Sequence, residues 1–142
     1  MRPLERIRDE EGIPVSPARV LRAYMERCFP MADQRDGKIF WVRPSERALI
    51  TWDTYRIPRS LQRAIRKSKL RFSTDVAFGA VIEGCAARHE TWISHDIEKL
   101  FRQLHSLGFA HSVEAWDESG RLVGGMYGLA VGGIFAPKLR QG

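Results

Sequence analysis

Arg59, Arg63, Arg66 and Lys67 recur at i, i+4, i+7 and i+8, a spacing that stacks four cations on one face of a helix within reach of consecutive phosphates. They lie in a run from Arg56 to Arg71 that also holds Lys69 and contains no acidic residue. Such a face can simply be solvated. Unrelieved positive charge at this spacing repels itself, however, and a polyanion such as RNA would neutralise it. The formal net charge of +6 is likewise a statement about partners rather than fold.

Other residues invite a chemical reading beside a structural one. Trp92 follows the polar stretch Arg88-His89-Glu90 and precedes a helix that Ser94 can cap. There an indole can be half exposed and stack on a nucleic-acid base, or it can belong to the core. Gly124, Gly125 and Gly128 weaken a strand and imply a bulge or the close approach of another backbone or a ligand. Met126 and Phe135, apolar and adaptable in shape, suit a pocket wall or a core. His111, Ser112 and Glu114 suggest a hydrolytic triad, but strand alternation sends His111 and Val113 to one face and Ser112 and Glu114 to the other, with no nucleophile elbow before them.

His89, His95 and His105 read as surface or loop residues. Cys28 and Cys85 fall in helical apolar patterns without CxxC or Cys/His spacing, so two buried thiols are expected, with no disulfide and no metal. A P-loop, G-x-G-x-x-G and HExxH are all absent from the sequence, which removes nucleotide hydrolysis and zinc peptidase chemistry; no cofactor is expected. No apolar run approaches the ~20 residues that span a bilayer, and no apolar segment follows the charged N-terminus. The expectation is a soluble, unexported, cytoplasmic protein without membrane contact.

The elements that must position these residues follow from caps and periodicity. Ser16-Pro17 is an N-cap with proline at the first helical position, and Val20, Leu21, Tyr24 and Cys28 mark the apolar face of a helix to about Arg27. Phe29-Pro30 ends it, Ile39 to Val42 reads as a short strand, and residues 1–47 read as a small N-terminal lobe. In the remainder, 48–142, Leu49 to Trp52 is a strand candidate. Pro58 opens a helix to about Lys67 with Leu61, Ala64 and Ile65 inward and the cations outward.

Asp75 can cap a helix bearing Phe78, Val81, Ile82 and Cys85, and Ser94 one bearing Ile97, Leu100, Phe101 and Leu104, stopped by Gly108. His111 to Trp116 and Leu122 to Ala130 form a hairpin about Asp117-Glu118-Ser119-Gly120, before a short strand at Gly133-Ile134-Phe135. Helices followed by an antiparallel meander make the fold class α+β.

Phe78-Gly79-Ala80-Val81-Ile82-Glu83-Gly84-Cys85-Ala86, Thr91-Trp92-Ile93-Ser94, His111-Ser112-Val113-Glu114-Ala115-Trp116 and Val123-Gly124-Gly125-Met126-Tyr127-Gly128, in this order, closely resemble the leucyl/phenylalanyl-tRNA-protein transferases. The resemblance runs from about Ser16 to Phe135, with Met31 where some members carry tryptophan after Phe-Pro. It implies the front half of an acetyltransferase-like (GNAT-like) fold, with one sheet edge unpaired unless a partner or the tail covers it.

It further implies an aminoacyltransferase that moves Leu, Phe or Met from charged tRNA to the N-terminal Arg or Lys of proteins, in N-end rule degradation. On this resemblance the basic cluster grips the tRNA acceptor stem, Trp92 lies at the substrate site and holds the tRNA 3′ end, and Met126 and Phe135 line the amino-acid pocket. The family's orienting glutamate, in Gly-Glu-Ser-Met-Phe, falls at Lys138, and its Asp-x-Gln has no counterpart, so no catalytic residue is assigned. A noncatalytic RNA-binding module, or an inactive truncation product, is the alternative expectation.

Overall fold

A computed structural model describes residues 7–45, 51, 53, 55–87 and 91–140, with side chains through residue 137. The fold class is α+β, as expected. Helix α1 (Pro17–Met25) leads to strands β1 (Phe29–Met31) and β2 (Phe40–Val42), which pair antiparallel. Helix α2 (Arg59–Lys67) leads to β3 (Arg71–Thr74), α3 (Phe78–Ala86), α4 (His95–Ser106), β4 (Ala110–Trp116), β5 (Leu122–Val131) and β6 (Ile134–Arg140). The last four strands form one antiparallel sheet in the order β3-β4-β5-β6.

The local causes are legible. Ser16 Oγ accepts from the Arg19 N–H at 3.1 Å, Pro17 pre-sets the first turn, and Arg27, at φ 66°, closes α1. Ser94 Oγ accepts from the Ile97 N–H at 3.1 Å, and Asp96 and Glu98 in the first turn of α4 complement its dipole. The β5–β6 connection is the two-residue turn Gly132-Gly133, both at positive φ, the backbone that best matches the twist of a hairpin.

The core lies between the sheet and the helices on one of its faces. Phe78, Val81, Ile82 and Cys85 of α3 and Ile97, Leu100, Phe101 and Leu104 of α4 are all buried, as their stripes predict. Tyr127 sits fully buried among them, edge-on to Phe78 and Phe101, with ring centroids 5.8 and 5.3 Å away. Burying each of the Leu, Ile, Val and Phe side chains contributes about 1.5–3 kcal/mol, whereas the buried Tyr127 hydroxyl has no hydrogen-bond partner among the described residues. Ile7, Val15, Val20, Ala32 and Ile39 from the front third join the same cluster.

Several expectations are corrected. Leu61, Ala64 and Ile65 do not face inward: every residue of α2 is exposed, Leu61 at 49% and Ile65 at 43%. Asp75 does not cap α3, whose N-cap is Ala77; at φ 57° it turns its carboxylate to β4 instead. Phe29–Met31 pairs as a strand rather than only ending a helix, and Arg71–Thr74 is a strand rather than the tail of the basic run.

The tail from Ala136 extends β6 along β5 as far as the Gly125–Arg140 pair, so the chain's own tail covers that edge and leaves β3 and β6 as the outer strands. Cys28 is half-buried rather than buried, and His105 is held by its environment, stacked 4.3 Å over Phe78. The expected strand at Leu49 to Trp52, apart from Thr51, and the stretch Arg88-His89-Glu90 lie outside the described residues. Among the described residues no helix is long and apolar enough to cross a membrane.

Candidate functional site

The cations of α2 sit on a helix that is exposed throughout. Arg59, Arg63, Arg66 and Lys67 are all exposed, and among the described residues no carboxylate lies within ion-pair distance of any of them. Pro58 takes the N-cap position without a side-chain cap bond, and Ser68 closes the helix with its Oγ donating to the Ile65 carbonyl at 2.8 Å. With nothing buried on either side, α2 presents its positive charge outward and draws no stability from the core. Lys69, just beyond it, pairs with Glu118 at 3.3 Å, but both side chains are largely exposed, so the pair contributes little.

Trp92 lies in the segment entering α4, half-buried against the core. The Met31–Gly37 loop pins this segment. Trp92 O accepts from the Ala32 N–H, and Arg35 O from the His95 N–H, both at 2.9 Å. The Arg35 guanidinium donates to Ile93 O and to Glu98 Oε1, each at 2.8 Å. Burial would raise the Glu98 carboxyl, but Arg35 and Arg102 outweigh it and hold that group below its ordinary value.

Met126 and Phe135 both lie on the other face of the sheet. Tyr127 and Leu129 are buried toward the helices, so alternation turns Met126 and Gly128 the opposite way. A Cβ at Gly128 would lie 2.9 Å from Phe135 Cζ and would collide with the Ala136 carbonyl. The missing side chain is what lets β6 close in and the Phe135 ring lie over the strand. Phe135 remains 39% exposed and Met126 half-buried. The expected close approach at Gly125 is also present, with Val113 O 2.9 Å from a Cβ placed there.

The residues that sequence reasoning missed are those of a buried carboxylate clamp. Glu114 is fully buried. Its Oε1 accepts from Ser73 Oγ at 2.6 Å and the Val76 N–H at 3.3 Å; its Oε2 accepts from Ser112 Oγ at 2.5 Å and the Ala77 N–H at 3.3 Å. Trp116 Nε1 donates to Ser73 Oγ at 2.8 Å. Burial pushes the Glu114 carboxyl up, but the bonds from Ser112, Ser73, Ala77 and Val76 overcome it and the net direction is down. Glu114 thus holds the turn that enters α3, through the Val76 and Ala77 N–H groups, with its charge near the positive end of that helix.

Asp75 accepts from the Ser112 N–H at 3.0 Å and lies 2.9 Å from His111 Nδ1. As alternation requires, His111 and Ser112 take opposite faces, and no triad forms. The signal available in the sequence was the period-2 pattern Ser112, Glu114, Trp116.

The family model described as leucyl/phenylalanyl-tRNA protein transferase matches residues 49–138, and the model of that family's N-terminal domain matches residues 14–45. Relatives bearing that name from Chlorobaculum parvum and Pelodictyon phaeoclathratiforme are each 48% identical over 120 residues, covering 82% of this chain and 61% of the relative. One from Akkermansia muciniphila is 46% identical over 125 residues, 85% of this chain and 64% of its own. The chain therefore spans about three fifths of the length of the curated relatives it matches.

Proposed function

This chain belongs to the leucyl/phenylalanyl-tRNA protein transferase family, and from that premise we propose that it grips a charged tRNA so that the amino acid can pass to a protein N-terminus. The observation that carries the reading is α2. A helix bearing four cations on one face, with no buried residue and no acidic partner among the described residues, has its charge available to phosphates.

The ester of an aminoacyl-tRNA is already an activated acyl donor, so the protein's share of the work is alignment. In this proposal Arg59, Arg63, Arg66 and Lys67 hold the acceptor stem, and Trp92 stacks on the 3′ end. Met126 and Phe135, flanking Gly128, form the apolar wall that accepts Leu, Phe or Met, excluding branching near the α-carbon by shape and charge by desolvation. The backbone bonds that fix the Trp92 segment support its part, and the Phe135 ring lying over Gly128 supports the apolar wall, which is on the face of the sheet away from the core that Trp92 packs against.

The acceptor is a protein beginning with Arg or Lys, the process N-end rule degradation, and the setting the cytoplasm. The sheet is the front half of an acetyltransferase-like fold. The division into 1–47 and 48–142 is supported by separate family matches to 14–45 and 49–138.

The test is binding of leucyl-tRNA across a salt series. If about four phosphates are neutralised, log K falls with log salt at a slope of roughly −3 to −4, and Arg63→Glu/Arg66→Glu weakens binding and flattens the slope. Affinity indifferent to salt, or unchanged in that variant, refutes the reading.

A further inference from the structure

Beside β3 the surface holds a hollow of about 370 Å³, lined by Arg71, Phe72, Ser73, Val76, Trp116 and Gly120. Its size falls near the lower end for small-ligand sites, roughly 300–1,000 Å³. Phe72 is 57% exposed and Val76 66%. By strand alternation the Phe72 ring leaves from the face opposite Ser73, so Val76 is the exposed apolar side chain on the side where Ser73 meets Trp116.

The Trp116 indole is held in a fixed orientation. Its N–H is bonded to Ser73 Oγ, and Ser73 in turn is bonded to the fully buried Glu114. A ring pre-oriented in this way loses little freedom when a planar group stacks on it.

The hollow has one cation in its wall. That residue, Arg71, is exposed, four positions after Lys67 and so at most roughly 14 Å of extended chain from the end of α2. Two acidic residues lie in the adjoining β4–β5 turn: Asp117, whose carboxylate accepts from Ser119 Oγ and from the Ser119 and Arg121 N–H groups, and Glu118, which is paired with Lys69. Among the described residues β3 has a sheet neighbour on one side only, which leaves backbone donors and acceptors at the hollow's outer rim.

We propose that this hollow is a second stacking site, in which an unpaired RNA base lies against Trp116 while Arg71 holds the adjoining phosphate. It rests on the reading of α2 as an RNA grip and extends that surface by one subsite, distinct from Trp92.

The test compares a blunt RNA hairpin with the same hairpin carrying a short single-stranded 3′ extension, by fluorescence anisotropy. The proteins are the unaltered chain, Trp116→Ala, Trp116→Phe, Val76→Glu and Arg63→Glu/Arg66→Glu. The unaltered chain binds the extended hairpin more tightly. Trp116→Ala and Val76→Glu cut that preference by roughly 5- to 100-fold and leave blunt-hairpin affinity unchanged, whereas Trp116→Phe keeps most of it. Val76 is exposed, so Val76→Glu carries the test if Trp116→Ala fails to unfold cooperatively.

An undiminished preference in Val76→Glu overturns the subsite while leaving the α2 reading intact. Blunt-hairpin binding that ignores Arg63→Glu/Arg66→Glu overturns the α2 reading itself. Loss of acceptor-peptide binding in Val76→Glu with RNA binding intact assigns the hollow to peptide and also overturns the proposal.

Discussion

Replacing Glu114 by glutamine keeps the shape of a buried side chain and exchanges one acceptor for a donor. Four donors converge on this carboxylate, two hydroxyls and two backbone N–H groups, and a hydroxyl can turn round to accept whereas a backbone N–H cannot. The hydroxyl of Ser73 already accepts from Trp116, so the new amide nitrogen goes to the Ser112 side, where it confronts the Ala77 N–H. One buried donor is orphaned, at about 1–3 kcal/mol, and the surviving bonds lose their charge assistance, offset in part by the relief of burying a neutral group. Since both backbone contacts are long at 3.3 Å, the net loss is about 2–3 kcal/mol, a large share of a stability of about 5–15 kcal/mol.

Urea unfolding at neutral pH measures it as a lower midpoint at constant slope. The folded carboxyl is held below its ordinary 4.5, so its contribution is full above that value and lost as pH falls through the lower folded one. The gap between the two proteins therefore narrows in acid. A loss below about 0.5 kcal/mol at neutral pH, or one that persists unchanged in acid, refutes the clamp, since the first would mean no orphaned donor and the second no charge at stake.

Three further outcomes are expected. Trp92→Ala weakens leucyl-tRNA binding by roughly 1–3 kcal/mol while unfolding stays cooperative, and unchanged affinity by anisotropy would reduce Trp92 to packing. The 142-residue polypeptide transfers radiolabelled leucine to an Arg-starting peptide near background, because Lys138 stands where the resemblance implies an orienting glutamate, a role commonly worth ~10² to 10⁴ in rate; robust transfer would move that role elsewhere.

The third outcome concerns Asp9. Burial pushes its carboxyl up, but the bonds from the Ile13 N–H, Arg19, Trp41 and the Glu11 N–H bring it from 3.8 down to about 2. Asp9→Asn therefore loses on the order of 2 kcal/mol at neutral pH, a difference that disappears as pH falls through about 2 and is followed by thermal unfolding against pH.

What the sequence makes readable here is what neighbouring residues decide. Ser16 and Ser94 cap their helices because the bond they make spans three residues, and the stripes of α3 and α4 show which side is buried. The sequence is silent on whether a partner exists. Leu61 and Ile65 keep the spacing of a packed face, yet nothing in the described structure covers them. Asp75 has the right residue type for a cap, but its carboxylate goes to His111 and the Ser112 N–H, while Glu114, nearly forty positions away, holds the turn before that helix. The pairing of β3 with β4 depends on the same long-range contact, so Arg71 to Thr74 reads locally as no more than the end of a basic run. Of the candidate site, the cations and a close approach at Gly125 and Gly128 were legible; the Glu114 clamp was not, because its donors come from two strands and a turn.

The isolation of α2 also bears on the thermodynamics of any encounter with a polyanion. Its nine residues fall short of the 12–15 or so at which a free helix becomes even marginal in water, and mutual repulsion among its cations disfavours the coiled form further. Phosphates arriving along that face would cancel the repulsion and lengthen the time the segment spends helical. Recognition would then include an ordering step, felt as an entropic cost that grows on warming. Alanine at the exposed Leu61 and Ile65 should tighten the complex by making the segment more helical beforehand, without touching a single charge.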